Sequence, residues 1–236
     1  MARRPGTGKP DVFAVVAVLL LSSLLALPAS AVHSTRLRIY APGDGAVLPP
    51  GKALVVGAVP LDFKGASVTV EVNGKVSQEV PVKGGVFTTS VYLTVGKNVL
   101  TAKAGDQVVT MAILAAEKAV YKYHPDVEKC AECHTDTSGG YSIAGPEDAL
   151  CYKCHDRLDK GKFLHGPMGT GECNACHNPH GSGQSSLVVS KPDVLCTTCH
   201  DQKSSESHFR KAAGKQCVEC HDPHSGGDQK FLKGAK

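Results

Sequence analysis

The sequence predicts two unlike parts in one chain, an all-β sandwich followed by a mostly coil and short-helix part with little apolar core of its own. Three observations carry this. Alternating apolar segments broken by turn residues run from Ser34 to about Lys118, the alternation then stops, and all ten cysteines with ten of the eleven histidines lie beyond that point. With 25 Gly, 14 Pro, no Trp and 5% aromatic residues in 236, the chain is loop-rich and short of large side chains.

The N-terminus is read as a processing signal. Arg3, Arg4 and Lys9 precede an apolar run from Val12 to Leu27, then Pro28 and the small residues Ala29-Ser30-Ala31. This is the pattern of a secretory signal peptide cut before Val32. The run has 16 residues, whereas a membrane span needs roughly 20. Residues 1–31 are therefore expected to be removed, so that the mature protein is exported, periplasmic or at the cell surface, and meets a membrane only through its signal peptide. No cysteine follows the cleavage region to carry a lipid.

Residues 32–118 are expected to form the sandwich. Candidate strands are Leu37 to Tyr40, Ala53 to Ala58, Ser67 to Val72, Gln78 to Val82, Val86 to Leu93, Asn98 to Ala104 and Gln107 to Leu114. The breaks between them agree: Asn73-Gly74 is a hairpin signal, Pro49-Pro50-Gly51 and Gly84-Gly85 are breakers, and Gly105-Asp106 separates the last two strands. Seven short strands with turns at this spacing favour a sandwich. The segments Tyr40-Ala-Pro-Gly-Asp-Gly-Ala-Val47, Val68-Thr-Val-Glu-Val-Asn-Gly-Lys75 and Leu93-Thr-Val-Gly-Lys-Asn-Val-Leu-Thr-Ala-Lys-Ala104 resemble bacterial immunoglobulin-like (Ig-like) modules of exported proteins. No cysteine lies in this half, so it must rely on apolar burial. It shows no ligand cluster, nucleophile–base pair or phosphate loop, and is expected to be a spacer or docking module.

Net charge excludes one class of partner. The formal charge is +4, but residues 119–236 hold 14 Lys and Arg against 15 Asp and Glu, with no basic patch interleaved with aromatics. Nucleic acid is not an expected partner.

The chemistry lies in residues 119–236. Five copies of C-x-x-C-H use every cysteine: Cys130/Cys133/His134, Cys151/Cys154/His155, Cys173/Cys176/His177, Cys196/Cys199/His200 and Cys217/Cys220/His221. Each is the attachment signature of c-type haem. Two cysteines three apart reach the two vinyl groups as thioethers, and the next histidine reaches the iron from one face. One C-x-x-C alone is weak, because zinc sites and redox dithiols share it. Five with none left over are strong. Zinc ribbons need paired knuckles, which five cannot supply evenly, and a disulfide framework needs no histidine beside each second cysteine. Thioredoxin-like dithiols sit in βαβ units, for which there is no pattern here.

Counting histidines extends this. His124, His165, His180, His208 and His224 are five spares for five irons, which predicts a histidine on both faces of each. Met168 is the one methionine in this half and is read as a loop residue, and His33 as part of a flexible terminus. His180 lies three residues after His177 and His224 three after His221. A tether of at most roughly 10 Å cannot pass around the haem to its far face. The simplest expected pairing is His180 with the Cys151 motif, His224 with Cys196, His165 with Cys173, His208 with Cys217 and His124 with Cys130. Fully ligated irons have lower potentials than His/Met ones and no open face for substrate.

The motifs recur every 21 to 23 residues, and Phe163 to Ser182 parallels Ser207 to Gly226, each with a leading His, a C-x-x-C-H and a trailing Pro-His. This half resembles the doubled C-x-x-C-H multihaem cytochromes related to the cytochrome c3 superfamily, over nearly all of residues 124–236. The expected protein is thus an Ig-like sandwich followed by a pentahaem cytochrome c domain of coil and short helix organised by its haems. It is expected to relay electrons in exported anaerobic respiration, with redox proteins or an extracellular acceptor as partners, and not to be an enzyme. Two other readings stand beside it. One is a multihaem nitrite or hydroxylamine reductase; five haems fit the nitrite-reductase count, but that family typically marks its catalytic haem with Lys in place of the motif His, which no motif here does. A subunit of an extracellular cytochrome filament would use the sandwich for assembly, making the chain an oligomer.

Overall fold

The computed structural model describes residues 35–134, 143, 145–201 and 206–234, without the side chains of 76 and 77. The expected signal peptide and His33 lie outside the described residues. Residues Ala31–Lys236 form one compact unit. Among the described residues no helix is long and apolar enough to cross a membrane.

Eight strands build the first part: β1 (Arg38–Ala41), β2 (Val47–Leu48), β3 (Gly51–Ala58), β4 (Ser67–Val72), β5 (Lys75–Pro81), β6 (Val86–Leu93), β7 (Gly96–Ala104) and β8 (Gln107–Ala115). They form a three-stranded sheet of order β1-β3-β6 and a five-stranded sheet of order β2-β8-β7-β4-β5. All neighbours are antiparallel except β2 and β8. The sequence alternation is what buries one face of each strand. In β7 the inward positions are Asn98, Leu100, Ala102 and Ala104; in β4 they are Val68 and Val70. Phe87, Val91 and Val55 close the core from the other sheet. Fully burying such a side chain contributes about 1.5–3 kcal/mol, so this part has a core that needs no cofactor. The Asn73-Gly74 turn joins β4 to β5 with both residues at positive φ, as a tight hairpin requires.

Asn98 is the polar exception in that core. It is fully buried and fully satisfied: it donates to the carbonyls of Thr94 and Gly96 and accepts from the Thr94 N–H, the Thr94 hydroxyl and the Asn73 amide. It pins the β6–β7 turn from inside.

Beyond Ala115 the chain is short helix, coil and two-residue strands. The strands are β9 (Lys122–Tyr123), β10 (Phe163–Leu164), β11 (Gly181–Ser182) and β12 (Ser225–Gly226). The helices are α1 (Cys130–Cys133), α2 (Glu147–Cys151), α3 (Gly166–Thr170), α4 (Pro192–Thr197), α5 (Glu206–Lys211) and α6 (Cys217–Cys220), with 3-10 turns at Cys173–Ala175 and Ser185–Leu187. Every buried apolar side chain among the described residues lies between Leu37 and Tyr121. Beyond Tyr121, the described residues therefore offer no buried apolar cluster to fix the second part.

Two long-range ladders organise it. β9 pairs with β11, Tyr123 opposite Gly181 and Lys122 opposite Ser182. β10 pairs with β12, Phe163 opposite Gly226 and Leu164 opposite Ser225. The first ladder is anchored on the sandwich: the Tyr123 hydroxyl donates to the Leu54 carbonyl at 2.7 Å, and the N–H groups of Val120 and Tyr121 meet Val47 O at 3.1 and 3.0 Å.

Candidate haem-binding centre

Each C-x-x-C-H folds as one tight turn. The N–H of the motif histidine donates to the carbonyl of the first cysteine at 2.8 Å for His134 and 3.0 Å for His155, His177, His200 and His221. That single i to i−4 bond brings both cysteines and the histidine to one side of the chain. We number the motifs as sites 1 to 5 in chain order. None of the ten cysteines is in a disulfide.

The ten cysteines, the expected attachment residues, differ in exposure. The first cysteine of every motif, Cys130, Cys151, Cys173, Cys196 and Cys217, is half-buried, as is Cys176. Cys154 and Cys199 are exposed instead, together with Cys133 and Cys220. The turn bond alone does not separate them, since Cys176 makes the same bond to Cys173 O at 3.2 Å and is half-buried. The N–H of Cys154 meets Cys151 O at 3.2 Å and that of Cys199 meets Cys196 O at 3.3 Å, which places each second cysteine past the end of a short helix, α2 or α4. No buried apolar side chain of this part is there to cover it. Each still has a cysteine of the preceding site as a neighbour. Cys154 lies near enough to Cys133 of site 1, and Cys199 to Cys176 of site 3, to help raise those thiols, burial being the larger cause for both.

The histidine rings form five pairs. His134 stands 6.3 Å from His180, His155 6.1 Å from His124, His177 6.1 Å from His224, His200 5.8 Å from His165 and His221 5.8 Å from His208, centroid to centroid. Each pair joins one motif histidine to one of the five others, and none is used twice. A metal–imidazole bond of about 2 Å puts each ring centre about 3 Å from the metal, so imidazoles on opposite faces stand about 6 Å apart. The donor set fits haem c for a second reason. Among the described residues no three His, Cys, Asp or Glu side chains converge as a metal site. Two axial donors with two cysteines alongside suit a metal whose other four ligands come from a porphyrin.

Four of the five expected pairings are corrected by this arrangement. His180 faces His134 of site 1 rather than site 2, and His124 faces His155 of site 2 rather than site 1. His224 faces His177 of site 3 rather than site 4, and His165 faces His200 of site 4 rather than site 3. His208 is with site 5 as expected. The ladders are the cause. β9 and β11 end side by side, so that the N–H of His124 meets the carbonyl of His180 at 3.3 Å. From there the two side chains go to different sites. β10 and β12 repeat this, the N–H of His165 meeting His224 O at 3.0 Å. The tether argument correctly excludes each trailing histidine from its own motif, but long-range strand pairing chooses the destination.

Glycine makes the ladders possible. A Cβ on Gly181, whose φ is +149°, would lie 2.6 Å from the Tyr121 hydroxyl and 2.8 Å from the Lys122 carbonyl. In the second ladder a Cβ on Gly161 would lie 2.5 Å from the Gly226 nitrogen.

Further contacts orient the rings. His177 Nδ1 is 2.8 Å from the Ser186 carbonyl and His221 Nδ1 is 2.6 Å from that of Lys230, contacts that commit Nδ1 as donor and leave Nε2 for a metal. His124 Nδ1 lies 2.5 Å from Pro125 O. The side chains of Asn178 and Asp222 accept from the backbone N–H of His180 and His224 at 3.0 and 2.9 Å. Tyr40 of β1 stacks on His180, centroids 5.2 Å apart. Burial, with His134 and His124 next, pushes His180 down to about 4. Burial also lowers His165, aided by His200 and His224. His208 differs from the other four: it sits on α5 rather than beside a ladder, and it is exposed where they are half-buried. Met168 lies on α3, half-buried, and His165 immediately precedes that helix.

Consecutive sites touch. Cys151 of site 2 lies close enough to Cys173 of site 3 for the two thiols to interact, and burial, with that neighbour next, pushes Cys151 up to about 12. Cys196 of site 4 and Cys217 of site 5 repeat this approach, with Cys196 pushed up to about 11, burial again leading. A thioether sulfur has no proton to lose, so these thiol shifts matter only as reporters of place. Glu147 of α2 also accepts from the Asn174 N–H, tying sites 2 and 3. With the ladders joining sites 1 to 2 and 3 to 4, the five lie in one unbroken series.

Two histidine rings about 6 Å apart beside each cysteine pair would hold a haem c, and the motif defines the class of site, one for covalent multihaem c-type binding. One family model agrees with that class. The doubled CXXCH motif family matches residues 165–205, which cover sites 3 and 4. No curated protein matches the chain. Solved structures similar to parts of it include an FMN-binding β-glucuronidase from Facaelibacterium prausnitzii L2-6 (23% identity, 35% of this chain and 12% of that one, TM-score 0.29). An engineered protein (27% identity, 34% and 20%, TM-score 0.28) and the fibronectin(III)-like modules of Clostridium thermocellum CbhA (14%, 34% and 94%, TM-score 0.29) are similar at the same level. The chain spans a fifth or less of the first two solved proteins.

Proposed function

We propose that this chain is an exported electron-transfer cytochrome carrying five haem c groups, each held between two histidines, that relays electrons along sites 1 to 5. The observation that carries the reading is the one-to-one pairing of five motif histidines with five others at 5.8–6.3 Å. Haem c, when bound, supplies one-electron Fe(III)/Fe(II) chemistry. The chain's residues hold the two faces, fix the ring tautomers and keep successive sites in contact. In this reading the exposed Cys154 and Cys199 attach the solvent-side edges of haems 2 and 4, and Cys151 and Cys196 the inner ones. Spending a histidine on both faces favours relay over catalysis, because a reductase needs an iron with an open face. The Ig-like module then serves as a clamp on the first two sites, through Tyr40, Tyr123 and β9. The partners are redox proteins or an extracellular acceptor, in the periplasm or at the cell surface, as part of anaerobic respiration.

Intact mass and a pyridine haemochrome assay on the exported protein test the count, and electron paramagnetic resonance tests the ligation. The expected result is five haems per chain, all low-spin. Four or fewer haems, or a high-spin iron that binds carbon monoxide without prior treatment, overturns the reading.

A further inference from the structure

Two segments of the array are equivalent but for one chemical change. Cys176-His-Asn-Pro-His180 and Cys220-His-Asp-Pro-His224 share their spacing. In both, the side chain of the middle residue accepts a hydrogen bond from the backbone N–H of the trailing histidine, at 3.0 Å from Asn178 and 2.9 Å from Asp222. Both residues thus aim their histidine in the same way. One is a neutral amide and the other a carboxylate.

The carboxylate also faces the ring. Asp222 Oδ1 lies 3.4 Å from His224 Nδ1, too long for a full hydrogen bond but well inside the range of charge–dipole attraction. An acceptor on this side of an imidazole makes its other nitrogen a stronger donor to metal, and a nearby anion favours the more positive iron state. His180 has a different setting. It is more deeply buried, its ring is covered by Tyr40, and its electrostatic neighbours are the imidazoles of His134 and His124. Burial without an anion disfavours added positive charge.

Building on the relay reading, we infer that Asp222 is a potential-setting residue that holds site 3 at a lower reduction potential than site 1. An electron shared between them rests at site 1, beneath the sandwich, and site 3 is the step it must climb. Two differences add in the same direction, the Asp222 carboxylate beside His224 and the deeper, Tyr40-covered setting of His180, and the first of them is one atom group that a single substitution exchanges.

The test uses the full haem-loaded protein in a potentiometric titration with dithionite, each iron taking one electron from Fe(III) to Fe(II). In Asp222→Asn one midpoint is expected to rise so that the reduced-to-oxidised ratio of that haem at fixed potential grows about tenfold, ~59 mV for a one-electron couple. In Asn178→Asp a different midpoint is expected to fall. Both variants are expected to keep five low-spin haems. If five low-spin haems persist and no midpoint moves, or both variants move the same one, the inference is overturned. Should Asp222→Asn lose a low-spin iron, Asn178→Asp decides alone, an unchanged set of midpoints overturning the inference. Failure of the relay reading looks different, as a missing haem or a high-spin iron in the unaltered protein.

Discussion

Replacing Gly181 with Ala is expected to disturb two sites at once while leaving three intact. The added methyl meets the Tyr121 hydroxyl at 2.6 Å and the Lys122 carbonyl at 2.8 Å, and the second of these is backbone of the partner strand. A non-glycine residue held at such a φ costs about 1–3 kcal/mol, and overpacking costs about 1–3 kcal/mol more. Against this, the two-residue ladder holds by a few hydrogen bonds contributing about 0.5–1.5 kcal/mol each. The strain is as large as the ladder, so the strands part. His124 and His180 hang side by side from it, one serving site 2 and the other site 1. Electron paramagnetic resonance on Gly181→Ala should therefore show high-spin signal from two of the five irons, with haem content unchanged. Gly183→Ala, whose methyl meets nothing within 4 Å, is the control. Five low-spin irons in Gly181→Ala, or loss of one site alone, would refute the claim that this ladder sets both ligands.

Other expectations follow from single residues. His208→Met should change the ligand field of site 5 alone, because α5 carries no second axial histidine; a change at site 4 in the same spectra would count against the pairing. Asn98→Ala leaves Thr94 and Gly96 backbone groups unpaired in the core and should destabilise the sandwich by about 1–3 kcal/mol, read from denaturant midpoints by circular dichroism. Alkaline pH should weaken the same domain. Tyr121 is buried, its hydroxyl makes no well-formed hydrogen bond among the described residues, and burial pushes it up to about 12, offset in part by the Gly43 backbone. A folded-state value above the free value of about 10 means stability is fully present below pH 10 and falls between about 10 and 12. Tyr121→Phe should flatten that fall, and an unchanged slope would assign it elsewhere.

The sandwich was legible because its signals are local. All seven expected strands lie within three residues of observed ones, since alternation over six to nine residues reports burial directly. Val47–Leu48 was missed for the converse reason: two residues have no period, and β2 exists through its parallel pairing with β8. The same blindness hid the four two-residue strands after Tyr121, whose partners lie about sixty residues away. That is why the set of axial candidates could be written from the sequence while the partner of each could not. The tether rule gave a distance limit, and distance limits exclude without choosing. The unequal exposure of the cysteines was hidden too, since a motif that repeats five times carries no sign that Cys154 and Cys199 face outward while Cys176 does not. Tyr40 shows another limit: nothing around it in β1 separates a strand residue facing solvent from one that covers His180. Asn178 and Asp222 stood at equivalent positions of the repeat, but as one of several charge differences between its copies, and their role needed the turn geometry.

The exchange of histidines between repeats also sets the order in which sites can be completed as the chain emerges from its N-terminal end. Site 2 has its second histidine, His124, before its own motif appears, so it closes as soon as His155 is present. Site 1 waits for His180, after the motif of site 3 has already passed. Site 4 closes at His200 and site 5 at His221, while site 3 is last, waiting for His224. A chain stopped between His221 and His224 would thus keep both ends of the series sealed and expose an iron face in its middle.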